Sequence, residues 1–303
     1  MKTDVEKITD KDMNNLIVLD CFDKILISYA YEKNDKCCSN CILERFINTR
    51  KDRVYLKSLN TKNKIPYAYK KCIISIGCIL KNDSKLIDEY ERRKVFILDK
   101  NTLEISVEYV SAVPNCSKCS TIPVDSAELA EKEGCKLIAQ INQTSDIPFR
   151  KYSCIDLAKR VENIALSKNF GIITTLLDNY EGPFPIAVAM LPLDDGRDEP
   201  GTGRTDSIEK SRAVALLEAF ERYGGFFPRG KKVNVYADYN KLKDSGFNMF
   251  NFKKAILNEN SITNESLYRN TKFYFDKSQN YHWVYGYSLT KQRSLLVPEA
   301  MAY

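Results

Sequence analysis

Apolar residues follow two different rhythms along this chain. Through the first third they form short runs separated by charged loops: Leu16 to Leu19, Lys24 to Ser28, Cys72 to Leu80, Val95 to Leu98 and Leu103 to Val110. Runs of this length, rich in Ile, Val and Leu and bounded by polar turns such as Asp99-Lys-Asn-Thr102, predict β-strands. After Cys119 the spacing changes. Ser126 to Glu133 and Cys154 to Ser167 read as helices, the second with Leu157, Val161 and Ile164 at helical spacing. Phe170 to Leu177 and Pro185 to Leu191 read as strands, and Asp194 to Thr205 as a loop rich in Gly and Asp. His282 to Leu289 and Ser294 to Val297 form a strand pair about the turn Thr290-Lys-Gln-Arg293. The expected fold class is α+β in two domains, residues 1–148 β-rich and residues 149–303 mixed α/β, with no internal repeat.

The clearest helix runs from Ser207 to Tyr223. Asp206 or Ser207 can cap it, and Gly224-Gly225 ends it. Ala213, Leu216, Leu217 and Phe220 form its expected core stripe, while Glu218, Glu221 and Arg222 fall at i, i+3 and i+4 on another face. Two carboxylates and a guanidinium in that arrangement can hold Mg2+ and contact phosphate oxygens, because hard cations take oxygen ligands and Arg pairs bidentately with phosphate. The alternative from spacing alone is a surface Glu–Arg ion pair.

Composition narrows the class. At 303 residues and 44% hydrophobic the chain can bury one large core or two smaller ones. Its net charge of +6 is spread along the sequence and reads as solvated surface, without the clustered basic residues and interleaved aromatics of a nucleic-acid binder. No apolar stretch approaches the roughly 18 residues of a membrane span, and the polar start is unlike a signal peptide, so a cytoplasmic location is expected. Gly225-Phe-Phe-Pro-Arg-Gly-Lys-Lys232 falls short of a P-loop, with Lys232 where Ser or Thr should stand and a helix where a strand should precede. Gly201-x-Gly203 is too short for a dinucleotide fingerprint.

Ten cysteines are many for a reducing compartment. Cys21, Cys72, Cys78, Cys135 and Cys154 stand alone and read as core filler. The other five cluster as Cys37-Cys38-Ser-Asn-Cys41 and Cys116-Ser-Lys-Cys119. Each C-x-x-C turn can present two sulfurs to one side of a zinc ion, so Cys38, Cys41, Cys116 and Cys119 make a candidate tetrathiolate site clipping two distant segments together. Four thiolates leave no open position for water, so the expected zinc is structural. His282, the single histidine, reads as an ordinary strand side chain.

Several of these elements resemble the YcaO family, in its azoline-forming cyclodehydratase branch. Gly201-Thr-Gly-Arg204 followed by Ala213-Val-Ala-Leu-Leu-Glu-Ala-Phe-Glu-Arg-Tyr-Gly-Gly225 is similar to that family's glycine turn and first ATP-site helix, with its E-x-x-E-R element. Tyr223-Gly-Gly-Phe-Phe-Pro-Arg-Gly230 is similar to the continuation seen in the thiazole/oxazole branch. Cys38-x-x-Cys41 with Glu44-Arg45, and Val113-Pro-Asn-Cys-Ser-Lys-Cys119, resemble the tetrathiolate segments that precede the YcaO domain there. Trp283 to Tyr303 resembles the strand pair ending in Val-Pro-Glu, so the likeness runs from about residue 13 to the end.

The resemblance implies a zinc-clipped N-terminal region (1–148) followed by the N-terminal half of a YcaO domain (149–303). Glu218 and Glu221 would bind Mg2+ and Arg222 would lie near ATP. The implied activity is ATP-dependent closure of Ser, Thr or Cys side chains of a ribosomally made precursor peptide into oxazolines or thiazolines, as in the thiazole/oxazole-modified microcins and related bacteriocins. A leader-binding partner protein and a flavin-dependent dehydrogenase would complete the pathway. No catalytic base is identified. Two departures stand out. Val214 replaces the small hydroxyl residue that family members often carry one turn before the first glutamate, and the second carboxylate-rich helix and Pro-rich tail do not occur before Tyr303, so the chain reads as cut short within the domain. These favour the alternative of a zinc-bound scaffold or pseudoenzyme that docks peptide or partner proteins.

Overall fold

The computed structural model describes residues 15–29, 37–58, 67–83, 85–142, 152–180, 182–226, 230–250 and 277–302. The boundary expected between residues 148 and 149, and residues 227–229 of the basic stretch, lie outside them. The chain forms two compact units, one of residues 1–121 with 152–224 and one of residues 122–151 with 225–303.

In the first unit β1 (Leu16–Cys21), β2 (Lys24–Tyr29), β3 (Arg93–Asp99) and β4 (Ile105–Val110) form an antiparallel sheet in that order. The first two strands feed two cores. Ile17, Leu19, Cys21 and Leu26 pack with Ile42, Phe46 and Ile47 of helix α1 (Ser39–Asn48). Leu16, Val18, Ile25 and Ile27 pack with Ile73, Ile76 and Leu80. A sheet covered on both faces needs apolar residues on both, which is why these strands read as unbroken apolar runs. The turn read at Asp99-Lys-Asn-Thr102 is fixed by the Asp99 carboxylate, which accepts from the amides of Asn101 and Thr102.

Residues 72–80, expected as a strand, belong to a helix, Lys70–Lys81. Its buried positions Ile73, Ile76, Gly77 and Leu80 are spaced i, i+3, i+4, i+7, so one stripe meets the sheet and the remainder faces water. Ile74 and Ile79 are apolar but exposed, so the run by itself reads as a strand, and the sheet it packs on selects the helical stripe. For the same reason Cys78 is exposed, as is Cys135, so two of the five solitary cysteines are not core filler.

A second antiparallel sheet, β5 (Thr175–Asn179), β6 (Ile186–Pro192) and β7 (Asp198–Arg204), completes this unit. β7 lies in the stretch expected to be a loop; only its hairpin turn near Gly196 is irregular. That turn is clamped by Arg53, 2% exposed, from the short helix Arg53–Ser58: its Nε donates to the Leu193 carbonyl at 2.7 Å, and its Nη atoms reach the Arg50 and Arg197 carbonyls and the Asp198 carboxylate. The helix Cys154–Ala165, capped by Ser153, buries Val161 as expected, but Ala158 and Ala165 are buried beside it in place of Leu157, which is exposed, and Ile164.

The second unit holds a three-stranded antiparallel sheet of residues Val235–Asp238, Asn280–Ser288 and Arg293–Pro298, with the last two strands as expected. Helix Ala127–Asn142 packs on it. Trp283 is fully buried there and its indole N–H donates to the Ala237 carbonyl at 2.8 Å. No helix among the described residues is long and apolar enough to cross a membrane.

Candidate functional site

Both candidate sites lie in the first unit. The helix carrying the carboxylates spans Ile208–Gly225 and is numbered α2 here. Ser207 caps it, accepting from the Lys210 amide. Strand alternation in β7 turns Glu199, Gly201 and Gly203 toward this helix. A Cβ on Gly201 would lie 2.4 Å from the Ala219 nitrogen, and one on Gly203 would lie 1.9 Å from the Ser211 carbonyl oxygen. Only glycine permits so close an approach. The helix answers with small residues: Ser211, Ala215 and Ala219, at i, i+4 and i+8, are fully buried. Phe220, expected in the core stripe, is therefore on the flank at 38% exposure, its ring 6.2 Å from that of Tyr223.

This packing brings Glu218 within hydrogen-bonding reach of the exposed edge of β7, where its carboxylate accepts the Thr202 amide. Its other oxygen pairs with Arg222 at 2.7 Å, and Arg222 also pairs with Glu199. The Thr202 amide and then the guanidinium hold the Glu218 carboxyl below the usual range, and the same pairing raises Arg222. Glu221 is exposed one turn away, without an ion-pair partner among the described residues. Glu218 and Arg222 thus meet directly, while Glu221 stands beside them. Glu199 joins from a segment expected to be a loop; its alternation with Gly201 and Gly203 is the signal the sequence carries.

The four predicted cysteines converge. Cys38 precedes α1, Cys41 lies in its first turn, and Cys116 and Cys119 sit in the turn after β4. All four sulfurs lie within 4.8 Å of one another, with Cys38–Cys41 at 3.9 Å, Cys38–Cys116 at 3.6 Å and Cys41–Cys119 at 3.3 Å. Four sulfurs at about 2.3 Å from one zinc would stand about 3.8 Å apart, so the spacing fits a tetrathiolate ion. The amides of Val113 and Lys118 point at the Cys41 and Cys116 sulfurs, at 3.4 and 3.5 Å, as donors to thiolates would. Without a cation such crowding opposes ionisation: the Cys41 contact and burial push the Cys38 thiol up to about 12, and burial pushes Cys119 up to about 11. Cys37 turns into the core instead.

Arg45, one turn beyond Cys41, has a structural role that its place in the motif does not reveal. It is 5% exposed and donates to the Ser111 and Ala112 carbonyls at 3.3 and 3.0 Å and to the Tyr223 hydroxyl at 3.2 Å. The C-x-x-C-x-x-x-R spacing of Cys38, Cys41 and Arg45 marks only the residue.

Residues 202–303 match the family model described as YcaO cyclodehydratase, ATP- and Mg2+-binding. Over this segment the chain is similar to the YcaO family. The YcaO match opens at Thr202, in β7, and takes in Glu218, Glu221 and Arg222. Among solved structures, a heterocyclase in complex with substrate and cofactor is 16% identical, with a TM-score of 0.59 over 95% of this chain and 42% of its own. That likeness shows a shared fold, and this chain spans under half of that protein's length. The heterocyclase TruD is 16% identical (TM-score 0.45, 95% of this chain and 39% of its own), and YcaO from Methanopyrus kandleri bound with AMPPCP and Mg2+ is 15% identical (TM-score 0.31, 51% and 34%). No curated protein matches.

Proposed function

We propose that this chain acts in ATP-dependent cyclodehydration of Ser, Thr or Cys residues in a ribosomally made precursor peptide. The observation that carries this reading is that the YcaO match falls on the β7–α2 pair that assembles Glu218, Arg222 and the Thr202 amide. Ring closure requires a side-chain hydroxyl or thiol to add to the preceding amide carbon, and the resulting oxygen is a poor leaving group until phosphorylated. ATP supplies that phosphoryl group. Glu218 and Glu221 would provide oxygen ligands for Mg2+, and Arg222 a cation for phosphate charge. Cys38, Cys41, Cys116 and Cys119 would hold a structural zinc that clips residues 1–148 into shape ahead of the YcaO half, 149–303. A leader-binding protein would deliver the peptide, and a flavin-dependent dehydrogenase would act on the product, all in the cytoplasm.

Incubating the natural gene product with Mg·ATP and its precursor peptide should remove one water mass per ring, with ATP consumed in step. Glu218→Gln should abolish this, and ring formation at the wild-type rate in that variant would remove the helix from the mechanism. A second reading has a specific observation behind it. Val214, where the resemblance expects a hydroxyl, is 36% exposed on α2. Stable peptide binding without ATP turnover would select the scaffold.

A further inference from the structure

We propose that Arg45 is a positioning residue that ties the last turn of α2, and with it the Glu218–Arg222 pair, to the loop bearing Cys116 and Cys119. A buried guanidinium needs its donors satisfied and its charge balanced. Its donors go to the Ser111 and Ala112 carbonyls, immediately before the Val113 amide that points at the Cys41 sulfur, and to the hydroxyl of Tyr223, the residue after Arg222. Its carbon centre also lies 5.7 Å from the centre of the Tyr223 ring. Arg45 has no carboxylate partner among the described residues, whereas a divalent ion held by four thiolates carries a net negative charge one helical turn away. One side chain therefore satisfies the cysteine loop, balances the charge of a loaded cluster and anchors the end of the carboxylate helix.

Any consequence for nucleotide binding rests on the function proposed above, so the test reads the anchor itself. Tyr223→Phe keeps the ring and removes the acceptor; Arg45→Met removes the whole tie. Amide hydrogen exchange is followed in peptides covering residues 216–226, with peptides from β5 and β6 as the reference for overall stability, and zinc is measured by metal analysis on the same samples. Both variants should exchange about tenfold faster in the last turn of α2, the loss of one charge-assisted hydrogen bond, with the reference strands unchanged. Arg45→Met should also release zinc to a chelator sooner than wild type, and Tyr223→Phe should not. Unchanged exchange at 216–226 in Tyr223→Phe would overturn the proposal, as would an equal rise in the reference strands. A chain without zinc or ATP binding would count against the proposed function, while the exchange result still decides the anchor.

Discussion

Replacing Gly203 by alanine tests the close packing on which the Glu218 site depends. The added Cβ would lie 1.9 Å from the Ser211 carbonyl oxygen and 2.9 Å from the Ala215 nitrogen, backbone atoms that cannot turn aside. Relief requires α2 to move off β7 by about 1.5 Å, because ordinary contact begins near 3.4 Å. Such a shift disturbs the buried set of Ala213, Ala215, Leu216 and Ala219 and draws Glu218 away from the Thr202 amide. Overpacking of a close-packed interior costs about 1–3 kcal/mol, and contact with backbone puts this case at the upper end. Gly224→Ala is the control in the same helix: its Cβ would meet nothing within 4 Å, and gain of helix propensity predicts a change of about 0.5–1 kcal/mol in the stabilising direction. Urea unfolding followed by far-ultraviolet circular dichroism reads both from the midpoint at constant slope. Equal midpoints for Gly203→Ala and wild type would refute the argument from close approach.

Arg53→Met should destabilise the first unit by about 3 kcal/mol, since it leaves the Arg50, Leu193 and Arg197 carbonyls without the donors of a buried guanidinium; a midpoint shift worth under about 1 kcal/mol would show the clamp to be dispensable. The lowered Glu218 carboxyl contributes stability that is present above the ordinary glutamate range and is lost as pH falls through its depressed value. Glu218→Gln should therefore flatten the acid limb of a stability–pH profile measured below about pH 4.3, and an unaltered limb would mean that the Thr202 and Arg222 bonds do not hold in solution. Cys116→Ser should cut bound zinc from about one per chain to a small fraction, read by metal analysis; full retention would exclude Cys116 as a ligand.

Features set by local chemistry were legible in the sequence. The C-x-x-C spacing fixes two sulfurs on one turn, so the cysteine set could be named before its members were seen to meet. Ser207 caps α2 through its own amides, and the strands β1 to β4 follow from runs of apolar residues between polar turns. What the tertiary structure decided is which neighbour covers each surface. Residues 70–81 are a helix because one sheet face lies against one stripe of them, and a β-branched composition does not contain that fact. Gly201 and Gly203 suggested a turn, yet they are strand residues whose missing side chains admit a helix; the same glycines would serve either purpose until the helix is in place. Glu199 meets Arg222 across 23 positions, and Arg45 meets Tyr223 across 178. Side-chain periodicity acts over one or two turns, so partners at these separations exist only once the sheets and helices have packed.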